Sequence, residues 1–356
     1  MAAAKTYAVI LAGGRGTRFW PRSRAAKAKQ VLEFLPPGTL IQQTVDRLAP
    51  AIPPERVWVI TNPLLRGEIV RQLPRVPRSQ VLAEPVQRNT APAIGLVARI
   101  LEDLDPGSVM AVFPSDHVVG NRSGFLRVVR AAIREARAGR IALIGIQPRW
   151  PETGFGYLEF APVGTPWPRP VVRFREKPDL PTAENYVRSG LHAWNGGMFF
   201  WRASVLLREL RAHLPATAAL IEGLPRFGAP GFARRLAEAF PRCENISVDH
   251  AVLEKTSGIV GFLAGSLDWS DVGSWNAVHD LLPKDPEGNA VQGSALLLDS
   301  QDNYVDSRGK LVALIGVSGL VVVDTPGALL VVPREQAQRV GEAVKVLEKA
   351  GRRDLL

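Results

Sequence analysis

The chain has 356 residues, of which 46% are hydrophobic and 22% charged, so it can bury a large core and is too apolar to be disordered throughout. Its single cysteine excludes an intramolecular disulfide and a zinc site built from cysteines alone. The net charge of +10 would suit nucleic acid, an anionic surface or a phosphorylated small molecule, but the basic residues form no charged tail.

The first part of the chain predicts alternating strands and helices. Short apolar runs without strict alternation are typical of parallel strands buried on both faces, and they lie at residues 7–12, 57–61, 80–83, 109–113 and 141–146. The clearest helical pattern covers residues 125–138, with Ser123 as the predicted N-cap and Gly139 as the stop. This alternation predicts a doubly wound α/β sheet.

After residue 148 the amino-acid composition changes, and proline, glycine and aromatic residues become frequent. A strand at 194–201 is expected to lead into a helix at 203–214. We interpret this region as an insertion on the same sheet that shapes a substrate site, rather than as a separate domain.

A linker containing proline and glycine at 283–288 separates this region from a C-terminal part with a different sequence pattern. The short apolar runs that follow predict a small all-β appendage, or a few coils of a β-helix. They lie at 295–298, 311–315, 320–323 and 329–332. An amphipathic helix is predicted at 334–350, so the expected domains are 1–283 and 284–356, the second being a small β domain with a terminal helix.

The first predicted strand runs into a glycine loop, Gly13-Gly14-Arg15-Gly16-Thr17-Arg18. Glycines let backbone N–H groups approach phosphate oxygens closely. The Walker pattern is absent, and the dinucleotide pattern would need glycine where Phe19 stands. A glycine turn alone is weak evidence for a phosphate site. Here, however, basic residues are frequent from Arg15 to Lys29, and open α/β sheets bind their ligands at the carboxyl ends of strands. The loop therefore predicts a polyphosphate site.

This loop, with Trp20-Pro21, Ser23-Arg24 and Lys29-Gln30 after it, resembles the signature of sugar-phosphate nucleotidyltransferases, in particular the mannose-1-phosphate guanylyltransferase branch. Further segments resemble the family in the same order, at 84–85 with 88–93, 113–117, 153–157, 174–178, 194–199, 247–249 and 269–275. The chain departs from the family at Ala28, where proline usually precedes the lysine, and at Phe155, where tyrosine is common.

The resemblance implies a Rossmann-like nucleotidyltransferase domain with a mixed, mostly parallel sheet. It also implies the transfer of GMP from GTP to mannose 1-phosphate, giving GDP-mannose and pyrophosphate by in-line attack on the α-phosphorus. Such a reaction needs orientation and charge neutralisation rather than a protein nucleophile.

The resemblance also assigns roles to residues. It implies four catalytic residues, Arg18, Lys29, Asp116 and Lys177. It implies a nucleotide site at Leu11, Gly13, Gly14, Gly16, Thr17, Arg18, Lys29, Glu84, Asn89 and Thr90. It implies a sugar-phosphate site at Gly154, Glu176, Lys177 and Asn195. Asp116 and Asp271 are the expected ligands of Mg²⁺ or another divalent cation; the residue that reads guanine is left open.

Three alternatives remain at this point. The same chemistry could use another nucleotide or another hexose 1-phosphate. A homologue that only binds nucleotide sugars is disfavoured because Arg18, Lys29, Asp116 and Asp271 are all present. A nucleic-acid-binding protein is disfavoured because no basic stripe alternates with aromatic residues.

The expected partners are GTP and mannose 1-phosphate, with no nucleic acid and no membrane, and a homodimer is left open. The start of the chain has no signal-peptide pattern, and no apolar run reaches the length of a membrane span. A cytoplasmic location is therefore expected.

Overall fold

A computed structural model describes residues 4–162, 164 and 167–356. The strands of the larger part of the chain are β1 (Thr6–Leu11), β2 (Val57–Thr61), β3 (Val81–Ala83), β4 (Val109–Pro114), β5 (Val118–Val119), β6 (Ile141–Ile146), β7 (Tyr157–Phe160), β8 (Arg169–Arg175), β9 (His192–Arg202), β10 (Ile259–Ala264) and β11 (Trp269–Ser270). Nine of them form one sheet in the order β3-β2-β1-β4-β9-β6-β10-β8-β7, and β5 pairs with β11.

Helices cover both faces of this sheet, which separates two large apolar cores. They are α1 (Leu40–Leu48), α2 (Pro63–Gln72), α3 (Thr90–Leu104), α4 (Arg122–Arg137), α5 (Leu180–Ser189), α6 (Ala203–His213), α7 (Pro215–Glu222), α8 (Phe232–Ala239) and α9 (Trp275–Leu281), with a π-helical turn at Asp249–Leu253. Within the described ranges, none of the helices combines the length and the apolar character needed to cross a membrane.

The strand directions bring several chain segments to one edge of the sheet. Strands β1, β2, β3 and β4 are parallel, whereas β9 runs antiparallel to both β4 and β6. The glycine loop follows β1 and Asp116 follows β4, so both lie at the carboxyl ends of parallel strands, where such sheets bind ligands. The predicted mixed α/β sheet is confirmed. β9 lies within it between β4 and β6, and β8 and β7 extend it beyond β10, so the region after residue 148 belongs to the same sheet, as expected.

Helix α4 differs from the prediction at its start. It begins at Arg122, and the predicted cap at Ser123 is wrong. Asn121 is the N-cap, because its side-chain oxygen accepts a hydrogen bond from the Gly124 N–H, while Ser123 Oγ donates to the same Asn121 oxygen. Gly139 follows the helix with φ 85°, in agreement with the predicted stop.

The last part of the chain forms a small four-stranded sheet of stacked coils. Its strands are β12 (Ala290–Leu298), β13 (Tyr304–Ile315), β14 (Leu320–Thr325) and β15 (Ala328–Pro333). β12, β13 and β14 are parallel although only short turns connect them, so each coil lies on the one before, as in a β-helix. The apolar runs predict only part of β12 and β13, which each begin with a further segment before a bend.

The terminal helix is shorter than predicted. Arg334–Arg339 forms a 3₁₀ helix, and the α-helix α10 covers Val340–Lys349. The expected boundary at residue 283 stays a prediction.

A third apolar core joins the coils to the segment that follows the glycine loop. Phe19 packs against Trp275 with ring centroids 5.2 Å apart, and Trp275 stacks on Tyr304 at 5.6 Å. Arg22 forms an ion pair with the buried Asp306. The signature segment is therefore held between the main sheet and the coils.

Candidate active site

The loop after β1 has its carbonyl groups engaged and its N–H groups free. Gln30 Nε2 donates to the carbonyl oxygens of Ala12 at 2.7 Å and Gly14 at 3.0 Å. Thr61 Oγ1 donates to Ala12 O as well, at 2.9 Å. Among the described groups, none accepts a hydrogen bond from the backbone N–H groups of residues 13–16. Free N–H groups in a row at a strand end are an anion-binding arrangement.

Gly16 lets this loop approach Lys29. It has φ 62°, in the left-handed region, and a β carbon there would lie 2.6 Å from Lys29 Cβ and 2.8 Å from Lys29 N. Ser23 Oγ donates to Gly16 O at 2.7 Å. Both the backbone conformation and the space therefore require glycine.

Helix α10 lies against the other end of the loop. A β carbon on Gly341 would be 3.5 Å from Thr17 Oγ1 and 3.9 Å from Arg18 Cγ. Arg15 pairs with Glu348 of the same helix. The predicted phosphate residues Thr17 and Arg18 are thus placed between the loop and the terminal helix.

A pocket of about 520 Å³ opens beside the loop, a size suited to a small ligand. Six predicted nucleotide residues line it: Leu11, Gly13, Gly14, Glu84, Asn89 and Thr90. Its other lining residues are Ile60, Gln87, Ala93 and Asn245. The remaining predicted nucleotide residues, Gly16, Thr17, Arg18 and Lys29, lie farther along the signature segment.

Glu84 is the buried polar group of this pocket. Its residue is 6% exposed, and its Oε1 has no hydrogen-bond partner in the part of the chain that the structure describes. Its Oε2 lies 3.4 Å from the position of a β carbon on Gly13. Burial raises the pKa of Glu84 to about 8. An unsatisfied buried carboxyl is costly, so this group is poised to bind a donor.

Asn89 and Thr90 hold the entrance of the same pocket. Asn89 has φ 63°, and its side chain accepts a hydrogen bond from Thr90 N at 2.9 Å. Thr90 Oγ1 accepts from Val248 N at 2.9 Å. The hydroxyl oxygen of Thr90 therefore ties the start of α3 to the segment before Asp249.

Lys29 joins three segments of the site. Its ammonium lies 2.8 Å from Asp116 Oδ2, donates to the main-chain oxygen of Asp271 at 2.6 Å, and is 5.5 Å from the centre of the Phe19 ring. Burial alone would raise the pKa of Asp116, but Lys29 and the neighbouring His117 bring it below its ordinary value. Asp116 is therefore a carboxylate next to a fixed cation.

Asp271 belongs to the same electrostatic cluster. Burial raises its pKa. The opposing charges of Lys29 and Arg18 do not cancel this, and the carboxylates of Asp116 and Glu152 raise the pKa further. The structure thus brings together Arg18, Lys29, Asp116 and Asp271, which are far apart in sequence.

Two backbone positions support this cluster. Val272 is buried with φ 47°, a strained conformation for a β-branched residue, and its N–H donates to Ser270 Oγ at 3.1 Å. Ala28 has φ −74° and ψ 168°, close to the φ that proline would impose. The departure from the family pattern at Ala28 therefore leaves the backbone before Lys29 in a proline-like conformation.

A second group of polar residues lies just after β8, on β9 and on the π-helical turn. Asn195 Nδ2 donates to Asp249 Oδ1 at 3.0 Å, and Asn195 Oδ1 accepts from Gly197 N at 3.0 Å. Glu176 Oε2 lies 2.5 Å from the position of a β carbon on Gly156. Burial raises the pKa of Asp249 to about 7, and the charge of Glu176 adds to this shift.

Two predicted sugar-phosphate residues are exposed at the rim of this group. Lys177 has φ 42°, its side chain is 63% exposed, and its Nζ lies 3.4 Å from Glu176 Oε1. The N–H of Gly154 donates to Glu152 Oε1 at 2.8 Å. The close approach to Glu176 occurs at Gly156 instead, so Glu176 and Asn195 are brought together while Gly154 lies apart on a turn.

Four polar residues of the site received no role from the sequence: Gln30, Gln87, Glu152 and Asp249. Gln30 and Asp249 stand in segments that resemble the family, which was the available signal. Gln87 donates to Gly13 O, and Glu152 binds the Gly154 N–H. These last two contacts depend on loop geometry, for which the sequence has no pattern.

Comparisons with known proteins agree with this architecture. The nucleotidyl transferase family model matches residues 7–288, and the model of the mannoseP isomerase/GMP-like beta-helix domain matches residues 293–347.

Curated relatives match nearly the whole chain. A mannose-1-phosphate guanylyltransferase of Klebsiella pneumoniae is 39% identical over 351 residues, covering 96% of this chain and 74% of the relative. One of Escherichia coli K12 is 36% identical over 364 residues, covering 99% and 76%.

A solved structure has the same fold. The crystal structure of a protein named mannose-1-phosphate geranyltransferase, from Thermus thermophilus, is 34% identical, with a TM-score of 0.86 over 97% of this chain and 99% of that one. The chain therefore belongs to the nucleotidyl transferase family, alongside the mannose-1-phosphate guanylyltransferases that it matches over nearly its whole length.

Proposed function

We propose that the protein transfers GMP from GTP to mannose 1-phosphate, giving GDP-mannose and pyrophosphate. The observation that carries this proposal is the unpartnered Oε1 of Glu84 in the pocket beside the glycine loop. Guanine presents two neighbouring donors, N1–H and N2–H₂, which one carboxylate can accept together. The Watson–Crick edges of adenine, cytosine and uracil lack such a pair, so they would leave the carboxylate partly unpaired. The relatives are named mannose-1-phosphate guanylyltransferases, which supports the same base and sugar.

The triphosphate would lie over the free N–H groups of residues 13–16. Arg18 offers a planar fork for phosphate oxygens, and Lys29 offers a fixed point charge. A phosphate oxygen of mannose 1-phosphate would attack the α-phosphorus of GTP, and the bond to the bridging oxygen of pyrophosphate would break. No protein nucleophile is needed, since orientation and charge neutralisation lower the barrier.

Asp116 and Asp271 are proposed to hold Mg²⁺ or another divalent cation. They fit it chemically, because both are oxygen donors and the charge of Asp116 helps to raise the pKa of Asp271 despite Lys29. Across residues 4–162, 164 and 167–356, no three His, Cys, Asp or Glu side chains are grouped to hold a metal by themselves. Phosphate oxygens and water would complete the ligand set. When bound, the ion would neutralise phosphate charge.

The sugar phosphate would occupy the group on β8 and β9. The Glu176 carboxylate and the Asn195 amide can bind hexose hydroxyls, and the exposed Lys177 can reach the phosphate. Lys177 is already close to Glu176 Oε1, so it would have to exchange this contact for the substrate.

The first test is pyrophosphate release with mannose 1-phosphate and Mg²⁺, comparing GTP with ATP, UTP, CTP and dTTP. We expect release with GTP, loss of release on chelation, and weaker release with glucose 1-phosphate. Glu84→Gln should lower kcat/KM for GTP by about 10-fold or more, because an amide cannot accept both guanine donors. Release with another nucleotide only would reject the assigned base, and no release with any nucleotide would reject the activity.

We also propose that a second copy of this chain covers an apolar ribbon on the coils, formed by Leu296, Leu298, Leu311 and Ile315. These side chains are between 45% and 64% exposed, and Leu298 pairs with Ile315. β12 lies at the edge of its sheet, and residues 291–298 contain no charge and no proline that would protect an edge. An uncharged strip also lets two chains of net charge +10 meet without local repulsion.

Light scattering after size exclusion tests this proposal. We expect a dimer for the unaltered chain and a monomer for Leu298→Arg, with Leu64→Arg on the exposed face of α2 as the matched control. A monomeric unaltered chain, or a dimer that survives Leu298→Arg, would reject this surface as the interface.

A further inference from the structure

Asn195 and Asp249 form a hydrogen-bonded pair at the centre of the proposed sugar site. Asn195 lies on β9, where its main-chain N–H donates to Gly156 O at 2.7 Å. Asp249 begins the π-helical turn, and π-helical turns are frequent at functional sites. The contact between Asn195 Nδ2 and Asp249 Oδ1 is 3.0 Å and joins these two elements.

The hydrogen-bond partners determine which way the Asn195 amide points. An asparagine amide has two N–H donors on nitrogen and one acceptor oxygen. Here Nδ2 donates to Asp249, and Oδ1 accepts from the Gly197 N–H at 3.0 Å. The flipped amide would place its nitrogen against the Gly197 N–H and its oxygen against the Asp249 carboxyl. The observed orientation therefore leaves one N–H donor of Asn195 for a ligand.

Glu176 lies next to this free donor. A β carbon on Gly156 would be 2.5 Å from Glu176 Oε2 and 3.4 Å from Asn195 Cβ, so the two side chains flank the same glycine. The wall of the site thus offers an acceptor beside a donor. Two neighbouring hydroxyls of a hexose match such a pair, because each hydroxyl both donates and accepts.

We propose that Asp249 is a positioning residue for sugar recognition, acting through Asn195 by fixing the amide so that its free N–H meets a hexose hydroxyl. This inference rests on the proposed function and extends it to a residue beyond the predicted site.

A double-mutant cycle tests the proposal, using Asp249→Ala, Asn195→Ala and the double variant. We expect Asp249→Ala to raise KM for mannose 1-phosphate about 10-fold and to weaken the preference for mannose over glucose 1-phosphate, while KM for GTP stays within about twofold. Adding Asp249→Ala to Asn195→Ala should have little further effect, because the residue acts through the amide. Asp249→Asn keeps an acceptor oxygen and should restore most of the affinity.

The control is Glu244→Ala, an exposed residue of the same segment. Additive effects in the double variant, or parallel rises in KM for both substrates with a lower melting temperature, would overturn the proposal. Titration calorimetry with mannose 1-phosphate alone gives the same cycle without turnover. Failure of the proposed function is seen separately, since the unaltered protein would then release no pyrophosphate and bind no mannose 1-phosphate.

Discussion

The nucleotide side and the sugar side of the cleft hold their ligand groups in different ways. On the nucleotide side, the backbone N–H groups of residues 13–16 have no acceptor among the described groups, while the buried Gln30 side chain donates to carbonyl oxygens of the same loop. On the sugar side, the groups are side chains, and Asn195 and Asp249 fix each other. The proposed phosphate contacts are thus made by the backbone, whereas the proposed hydroxyl contacts depend on side chains.

The charges of the two sides also differ. On the nucleotide side, the ammonium of Lys29 holds the pKa of Asp116 below its usual value. On the sugar side, burial and the charge of Glu176 raise the pKa of Asp249, and no Lys or Arg of the described residues forms an ion pair with it. Asp116 is thus already paired with Lys29 before an anion arrives, and we expect loss of a charge or of Gly16 on the nucleotide side to have the larger effect.

The largest effect is expected where the carboxylate proposed to hold the divalent ion is removed. Asp271→Asn should lower kcat at least ~10²-fold at saturating Mg²⁺, while the circular dichroism spectrum and melting temperature stay close to those of the unaltered protein. Asp268→Asn is the matched control, because this exposed residue is only three positions away. Turnover near the unaltered value in Asp271→Asn would show that this carboxylate holds no essential ion.

Gly16→Ala tests whether the nucleotide side depends on backbone geometry. The left-handed φ and the contact with Lys29 should displace the loop, and we expect kcat/KM to fall between about 10- and 100-fold. Gly139→Ala is the control, since it also has a left-handed φ but has nothing within 4 Å of an added β carbon. It should lower the melting temperature without lowering kcat/KM. Equal kinetics in both variants would argue against close packing at Gly16.

Much of the nucleotide side could be predicted from the sequence, for a topological reason. Apolar runs that end in glycine or aspartate can be recognised in the sequence as strands with a polar end. Parallel strands place their carboxyl ends at the same edge of the sheet. This brings the loop after β1 and Asp116 after β4 together without knowledge of any side-chain contact. Asp271 follows the short strand β11, far along the chain. Only the resemblance to the family predicted that it belongs to the same site.

The parts that sequence reasoning missed depend on contacts between distant loops. Asp249 meets Asn195 only because the π-helical turn packs on β9. Neither residue carries a periodic pattern that predicts the pair. The cap of α4 was missed for a local reason, since both Asn121 and Ser123 can cap a helix and the choice depends on the backbone of the first turn. In the coils, the first segments of β12 and β13 are too polar to read as strands.

A smaller effect is expected from releasing the loop carbonyls. Gln30→Leu removes the donors to Ala12 and Gly14, so the loop N–H groups lose their fixed direction. We expect KM for GTP to rise about 5- to 10-fold, and stability to fall by ~1 kcal/mol because two hydrogen bonds are lost while Ala12 O keeps its bond from Thr61 Oγ1. KM for mannose 1-phosphate should change little, which separates the two sides of the cleft.

Gln43→Leu is the matched control for this variant. Gln43 Nε2 donates to the carbonyl oxygens of Pro37 and Gly38 at 3.2 Å each, in a loop outside the site. It should lose stability without a change in KM for GTP. A similar rise in KM for both variants would mean that general destabilisation, and not the fixed loop, controls nucleotide affinity.

The last prediction concerns stability rather than turnover: Glu84 should dominate the pH dependence of stability on the nucleotide side. Its pKa is about 8 in the folded chain against an ordinary value of 4.5. Between these values the folded state binds the proton and the unfolded state does not, so stability falls as pH rises. The contribution is fully present below pH 4.5 and is lost as the pH passes 8.

Urea unfolding at pH 5, 6.5 and 8 measures this contribution. Relative to Glu84→Gln, which cannot titrate, the unaltered protein should lose on the order of 2–4 kcal/mol between pH 5 and 8. Glu55→Gln, at an exposed position, should follow the unaltered protein.

GTP binding at pH 7 should release a proton, because guanine donors favour the carboxylate. Parallel stability curves for Glu84→Gln and the unaltered protein, with no proton release, would mean that Glu84 is already ionised before GTP binds.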